Sequence, residues 1–119
     1  MTTDEMLACC LRKKGAVLEY PFGPQPVCVK VGGRIFAQIY EADGRITLNC
    51  SSADGELSRK QYPGSVLRGY HCPAVVQPYF NTVLPDGKAP DHELKSMIDH
   101  SYNRVVGRLS KKLRKEQGL

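Results

Sequence analysis

Two runs of alternating apolar residues meet at a glycine pair. Val27, Val29 and Val31 precede Gly32-Gly33, and Ile35, Ala37 and Ile39 follow it. Successive side chains of a strand point to opposite faces, so a period of two marks a ribbon with one buried face. A two-residue glycine link supplies the positive φ values that a tight hairpin requires. Asp43-Gly44 offers a second turn, after which Ile46 and Leu48 resume the alternation. Residues 25–50 are therefore expected to form a three-strand antiparallel meander, joined at Gly32-Gly33 and Asp43-Gly44, with one face toward a core.

The flanking segments supply the helices that cover such a face. Thr2 and Glu5 stand at capping-box spacing, Met6, Leu7, Cys10 and Leu11 recur at helical intervals, and Gly15 can stop the helix. Tyr20-Pro21-Phe22-Gly23-Pro24 is a rigid, turn-rich entry to the meander. Ser51 or Ser52 can cap a short helix to about Gln61, weakened by Gly55 and ended by Tyr62-Pro63-Gly64. A brief segment at 66–70, an irregular stretch at 72–78 and a strand at 79–84 lead to the turn Pro85-Asp86-Gly87. Asp91 is a credible cap for a long last helix reaching about Lys112. The order αβββαββα predicts an α+β fold, an antiparallel sheet packed against helices. At 119 residues, with no repeat or linker, residues 1–119 read as one domain.

A composition of 41% hydrophobic and 24% charged residues fits a folded soluble chain. No apolar run approaches the ~18–20 residues of a membrane span. The first residues lack a basic segment followed by an apolar block, so no secretory leader is expected. The 5 cysteines, an odd number, fit a reducing compartment, and a cytoplasmic monomer is the economical expectation. Cys9 and Cys10 are adjacent while Cys28, Cys50 and Cys72 are isolated, so no zinc spacing exists and no metal or cofactor is expected. Cys9 or Cys10 should fill a helix–sheet contact, and Cys28 should lie on the less buried face of the meander. Catalytic constellations are equally thin. Asp99 and His100 are consecutive helix residues pointing ~100° apart, and His71-Cys72 are neighbours without an established hydrogen bond. No catalytic residue is assigned.

Charge is the stronger functional signal. Residues 104–119 hold Arg104, Arg108, Lys111, Lys112, Arg114 and Lys115 against one acid, Glu116, and account for the whole formal charge of +5. A localised cationic segment points first to a polyanion. At ~100° per residue, Leu94, Ile98, Tyr102, Val105, Leu109 and Leu113 form one stripe of the last helix, and Arg104, Arg108, Lys111 and Lys115 form another, with Lys112 at its boundary. The apolar stripe should dock on the sheet and leave the basic one as a rail for phosphates. The alternative is a solvated helix face suited to a helix C-terminus. No aromatic residues interleave the cations, so a single-strand stacking platform gains little support.

Several short pieces, taken in order, resemble the MmcQ/YjbR family of small bacterial DNA-binding-like proteins. They are Tyr20-Pro21-Phe22-Gly23, Lys30-Val31 with the glycine hairpin, Gln61-Tyr62-Pro63-Gly64, Gly69-Tyr70-His71 and Asn81-Thr82-Val83. Asp86-Gly87, Pro90-Asp91, Ile98-Asp99-His100-Ser101-Tyr102 and Lys111-Lys112-x-Arg114 extend the match across about 4–114. The resemblance implies an α+β fold similar to the double wing of the phage MotA C-terminal domain and, in outline, to frataxin-like (CyaY-like) sandwiches. Members commonly carry a Met-Asn-Lys-x-His-Trp-like run before Asn-Thr-Val. Here that stretch, residues 72–80, is longer and lacks the Lys and the His, with Phe80 at the position matching Trp. Tyr70, His71, Asn81, Thr82, Asp99, His100 and Tyr102 are left as candidates for a shared polar feature; the alternative is a set of hydrogen-bonded supports for the last helix.

The leading expectation is non-catalytic binding of nucleic acid, duplex DNA in particular, with weak sequence preference. Arg104, Arg108, Lys111, Lys112 and Lys115 would contact phosphates, joined by Lys60 and Arg68. The competing expectation is a structural or protein-interaction module using the 70–80 surface, marked by an exposed apolar patch at Val75, Val76, Tyr79 and Phe80. A small-molecule enzyme would require His71, Asp99 or His100 to converge in a pocket.

Overall fold

A computed structural model describes residues 1–70 and 72–119; His71, a candidate for the shared polar feature, lies outside the described residues. Helix α1 (Thr3–Leu11) precedes strands β1 (Val17–Glu19), β2 (Val27–Val31), β3 (Arg34–Tyr40) and β4 (Arg45–Asn49). Helix α2 (Ser52–Gln61), β5 (Val66–Arg68), a 3-10 turn (Gln77–Tyr79) and β6 (Phe80–Val83) follow, then α3 (Asp91–Arg108) and α4 (Lys111–Glu116). Among the described residues the strands form one antiparallel sheet in the order β1-β2-β3-β4-β6-β5.

The expected meander is present as β2, β3 and β4. Val31 pairs with Arg34 across Gly32 and Gly33, whose φ values of 58° and 79° suit the right-handed twist of the flanking strands. Helices α1 and α3 cover one face, where Met6, Cys10, Val29, Ile39, Ile46, Leu94 and Ile98 share a core. The capping box of α1 forms as expected, with Thr2 accepting from the Glu5 amide and Glu5 from the Thr2 amide. Ser51 caps α2.

Several expectations need correction. Strand β1 was not anticipated: its three residues are all exposed and carry no alternation to read. The last helix does not reach Lys112; α3 ends at Arg108, Leu109 is extended, and Ser110 caps the separate α4 by accepting from the Leu113 amide. Leu109 leaves the helix to pack on the hairpin turn, where a Cβ at Gly32 would lie 2.5 Å from its Cδ1. The cap of α3 is Pro90, with Asp91 inside the first turn. Cys28 does lie on the sheet face away from α1 and α3, but it is fully buried, because loop residues such as Pro26, Cys72 and Val76 lie over that side of the sheet. The alternation through Ile35 also slips. Val29 pairs with Ala37 but Lys30 with Ile35, so Phe36 is an extra bulged residue and is buried beside Ala37 in place of Ile35. A side chain of that size contributes roughly 1.5–3 kcal/mol on burial, and the Phe36 ring meets Tyr102 of α3 edge to face at 5.3 Å.

Candidate functional site

The bulge at Phe36 opens a fork in the sheet. Strands β3 and β4 pair from Tyr40 and Arg45 as far as Ala37 and Leu48. Continuing that register would set Phe36 opposite Asn49, but the hydroxyl of Ser101 stands between them. It donates to the Phe36 carbonyl at 2.5 Å and accepts from the Asn49 amide at 2.9 Å, so a helix side chain replaces one rung of the ladder. Beyond that point β4 stays with β6, through Asn49 opposite Phe80, while β3 turns toward β2. The gap is a cleft of about 360 Å³ lined by Lys30, Arg34, Ile35, Phe80, Val105 and Arg108, with Asn49 and Gly33.

This fork gathers positive charge from three elements. Lys30 belongs to β2, Arg34 to β3 and Arg108 to the end of α3. Lys30 is paired with Glu19 at 3.3 Å, and Arg104 donates to Asn49 Oδ1 at 2.8 Å. Arg34 and Arg108 are exposed, and among the described residues no carboxylate lies within 4.0 Å of either. Of the basic residues expected at the C-terminal end, Arg104 and Arg108 sit beside the fork. Lys111, Lys112 and Lys115 follow on the exposed surface of α4, Lys112 facing Glu116 at 4.0 Å. Lys60 and Arg68 are elsewhere. Lys60 pairs with Glu56 on α2, and Arg68 ends β5, the strand at the far edge from β1. Sequence reasoning missed Lys30 and Arg34 as members of the basic group; the signal was their position astride the glycine turn that α3 packs on.

Among the described residues the expected polar feature is not one cluster. Tyr70 and Thr82 lie on the sheet face away from α1 and α3: the Tyr70 amide donates to Thr82 Oγ1 at 2.8 Å, and the Thr82 and Thr47 hydroxyls are 2.7 Å apart. The Tyr70 ring packs edge-on against Tyr40 and under the Arg45 guanidinium. Asn81 instead faces α2, accepting from Arg59 at 2.6 Å and donating to the Gly55 carbonyl at 3.1 Å. Asp99 is ion-paired with Lys13, and the Tyr102 hydroxyl donates to the Lys14 carbonyl at 2.5 Å, so both join α3 to the end of α1. These bonds brace the helices and loops in separate places.

A second cleft, about 300 Å³, lies between α2 and α3 and includes Cys50, Asp54, Asn81, Glu93 and His100. His100 Nε2 accepts from the Ser51 amide at 3.3 Å and lies 3.6 Å from Asp54. That nitrogen is already engaged, and burial pushes the Cys50 thiol up to about 11, so Cys50 is not a thiolate nucleophile at neutral pH. Asp99 points away to Lys13, so it does not converge with His100. Among the described residues no group of three His, Cys, Asp or Glu is placed to hold a metal, and no helix is long and apolar enough to cross a membrane.

The other sheet face carries a groove of about 520 Å³ lined by Phe22, Pro26, Gln38, Tyr40, Tyr70, Cys72, Pro73, Val76 and Phe80. Phe22 of that lining is 65% exposed, and Val75 and Tyr79, next in sequence to the lining Val76 and Phe80, are also exposed.

The family model described as YjbR matches residues 11–104. Uncharacterized protein YjbR of Escherichia coli strain K12 is 30% identical over 117 residues, which cover 97% of this chain and 96% of that protein. Uncharacterized protein YbdF of Escherichia coli O157:H7 is 32% identical over 95 residues, covering 78% and 75% of the two chains. Among solved structures, Deinococcus radiodurans protein DR2400, described with the domain DUF419, superposes with a TM-score of 0.90 at 28% identity, over 99% of this chain and 88% of that one. A protein from Pseudomonas syringae shares the fold, with a TM-score of 0.73 at 17% identity over 88% and 99% of the two chains.

Proposed function

The chain belongs to the YjbR family, and from that premise we propose that it is a non-catalytic nucleic-acid-binding domain that holds duplex DNA by its phosphates with weak sequence preference. One observation carries the reading. Arg108, Lys111 and Lys115 make no ion pair among the described residues, and they follow one another around the corner where α3 gives way to α4. Arg104 is braced behind them on Asn49. Lysine and arginine contacts to phosphate give affinity and register without reading bases. In this reading the sheet and its helices, a relative of the MotA double wing and the CyaY-like sandwiches, form a rigid platform. The protein acts as a cytoplasmic monomer, without cofactor or metal.

Arg108→Glu combined with Lys111→Glu tests this directly. Both side chains are exposed, so the fold is expected to persist while duplex affinity at low salt falls by about 100-fold. For the wild type, log affinity against log salt should have a slope of about −0.9 per phosphate neutralised. Equal affinity of the folded double variant and the wild type for specific, scrambled and single-stranded probes removes this corner as the contact.

A second reading rests on the exposed Val75, Tyr79 and Phe22 beside the aromatic groove. There the domain would act as an interaction module, burying an apolar segment of a protein partner. Such a complex persists at salt concentrations that dissolve phosphate contacts, which separates the two readings.

A further inference from the structure

We propose that the fork between β3 and β4 is a seat for one phosphodiester group, an inference that rests on the nucleic-acid reading and gives it a location. Lys30 and Arg34 of the β2–β3 hairpin and Arg108 of α3 line the cleft, so two separate parts of the fold converge on it. Lys30 shares its charge with Glu19 at 3.3 Å, so of the three cations lining the cleft Arg34 and Arg108 are the two with no carboxylate within 4.0 Å among the described residues. A guanidinium presents two parallel N–H donors that match two oxygens of a phosphate. Arg104 adds positive charge beside the cleft, donating to Oδ1 of the lining Asn49.

The cleft is also more than a charged patch. Ile35, Phe80 and Val105 form apolar walls, a low-dielectric surround that concentrates the field of the arginines. At about 360 Å³ it has room for more than a phosphate alone. The ligand that uses every wall is an esterified phosphate whose charged oxygens meet Arg34 and Arg108 while its sugar lies on Ile35, Val105 and Phe80. The α4 lysines differ in kind: they stand on an exposed helix of six residues with no concavity around them. They draw the polyanion in, and the fork fixes where one phosphate comes to rest.

Arg34→Gln is the decisive variant, because Arg34 lies outside the C-terminal segment and is exposed. Duplex binding is measured by fluorescence anisotropy over a salt series for the wild type, Arg34→Gln and Lys111→Gln with Lys115→Gln. In parallel, amide chemical shifts are followed by NMR while a dinucleoside monophosphate or inorganic phosphate is added. The expected result is about a tenfold loss of duplex affinity for Arg34→Gln, with a salt slope shallower by about 1. The dinucleoside monophosphate should shift the amides of Gly33, Arg34 and Asn49 at lower concentration than inorganic phosphate does, and Arg34→Gln should abolish those shifts. If Arg34→Gln binds duplex like the wild type while the lysine variant is weakened, the seat is overturned and the nucleic-acid reading stands. If the wild type binds no duplex but the dinucleoside monophosphate still moves those amides, the seat stands and that reading falls. Equal response to inorganic phosphate overturns the assignment to a diester, and no response to either overturns the site.

Discussion

Ser101 shows how much one side chain can decide in this fold. It is fully buried, and its hydroxyl satisfies a strand carbonyl and a strand amide that would otherwise face each other across an open fork. Replacing it by alanine removes both partners at once and leaves two buried backbone groups unpaired, each costing about 1–3 kcal/mol. Ser101→Ala should therefore destabilise the protein by about 2–4 kcal/mol, allowing for partial relaxation of the strands toward each other. The check is chemical denaturation, with hydrogen exchange at the Asn49 amide as a local readout. A loss below about 0.5 kcal/mol, within the range of an ordinary surface change, means the ladder closes without the serine. Nothing in the sequence exposes this role. A serine in an amphipathic helix reads as part of the polar face, and its significance comes from a bulge in a strand 65 residues away. Lys30 and Arg34 were hidden for the same reason, since their partnership with Arg108 exists only once α3 crosses the hairpin.

At the scale of elements, what was legible was whatever depends on near neighbours. The β2–β3 hairpin follows from period two and two glycines, and the capped starts of α1 and α2 follow from side chains three residues from the amides they accept. Strand β1 has three exposed residues and is recruited by the edge of β2, a tertiary event with no local signature. The break between α3 and α4 was illegible because Leu109 continues the apolar stripe of a longer helix. Its extended backbone is set by packing on Gly32. This packing gives a paired prediction. Alanine at either hairpin glycine incurs the left-handed penalty of about 1–2 kcal/mol, since both φ values are positive. Gly33→Ala adds nothing further, because open space surrounds its Cβ. Gly32→Ala must in addition displace the Leu109 side chain, 2.5 Å from the new methyl. It should melt several degrees below Gly33→Ala, by the rough conversion of 4–8 °C per kcal/mol for a domain near this size. Combining Gly32→Ala with Leu109→Ala should cost less than the sum of the two single changes. Equal melting temperatures for the two glycine variants mean that Leu109 yields freely and does not set the end of α3.

For the whole molecule, the arrangement of charge matters more than its total of +5. The fork and the α3–α4 corner gather at the hairpin of β2 and β3: Arg108 lines the fork with Lys30 and Arg34, and Leu109 packs on Gly32. Lys60 and Arg68 belong to α2 and β5, at the opposite edge of the sheet. In the order β1-β2-β3-β4-β6-β5, β5 lies three positions from β3, the strand of Arg34, a separation of roughly 14 Å at about 4.8 Å per strand. That exceeds the screening length of about 8 Å at physiological salt. Charges at such a distance add little to the field at Arg34, and Lys60 is further offset by Glu56 at 3.1 Å. The sequence grouped these two residues with the C-terminal cations because charge was the available criterion, and distance in space was not. Lys60→Gln combined with Arg68→Gln should accordingly leave duplex affinity within about twofold of the wild type at physiological salt, with an unchanged salt slope. The same number of neutralisations at Arg34 and Arg108 should remove about 2 units of slope. Both double variants lose two positive charges, so net charge cannot explain a difference between them. Equal losses from the two pairs would show that duplex DNA responds to the overall charge of the protein, and the single phosphate-binding corner would have to be abandoned.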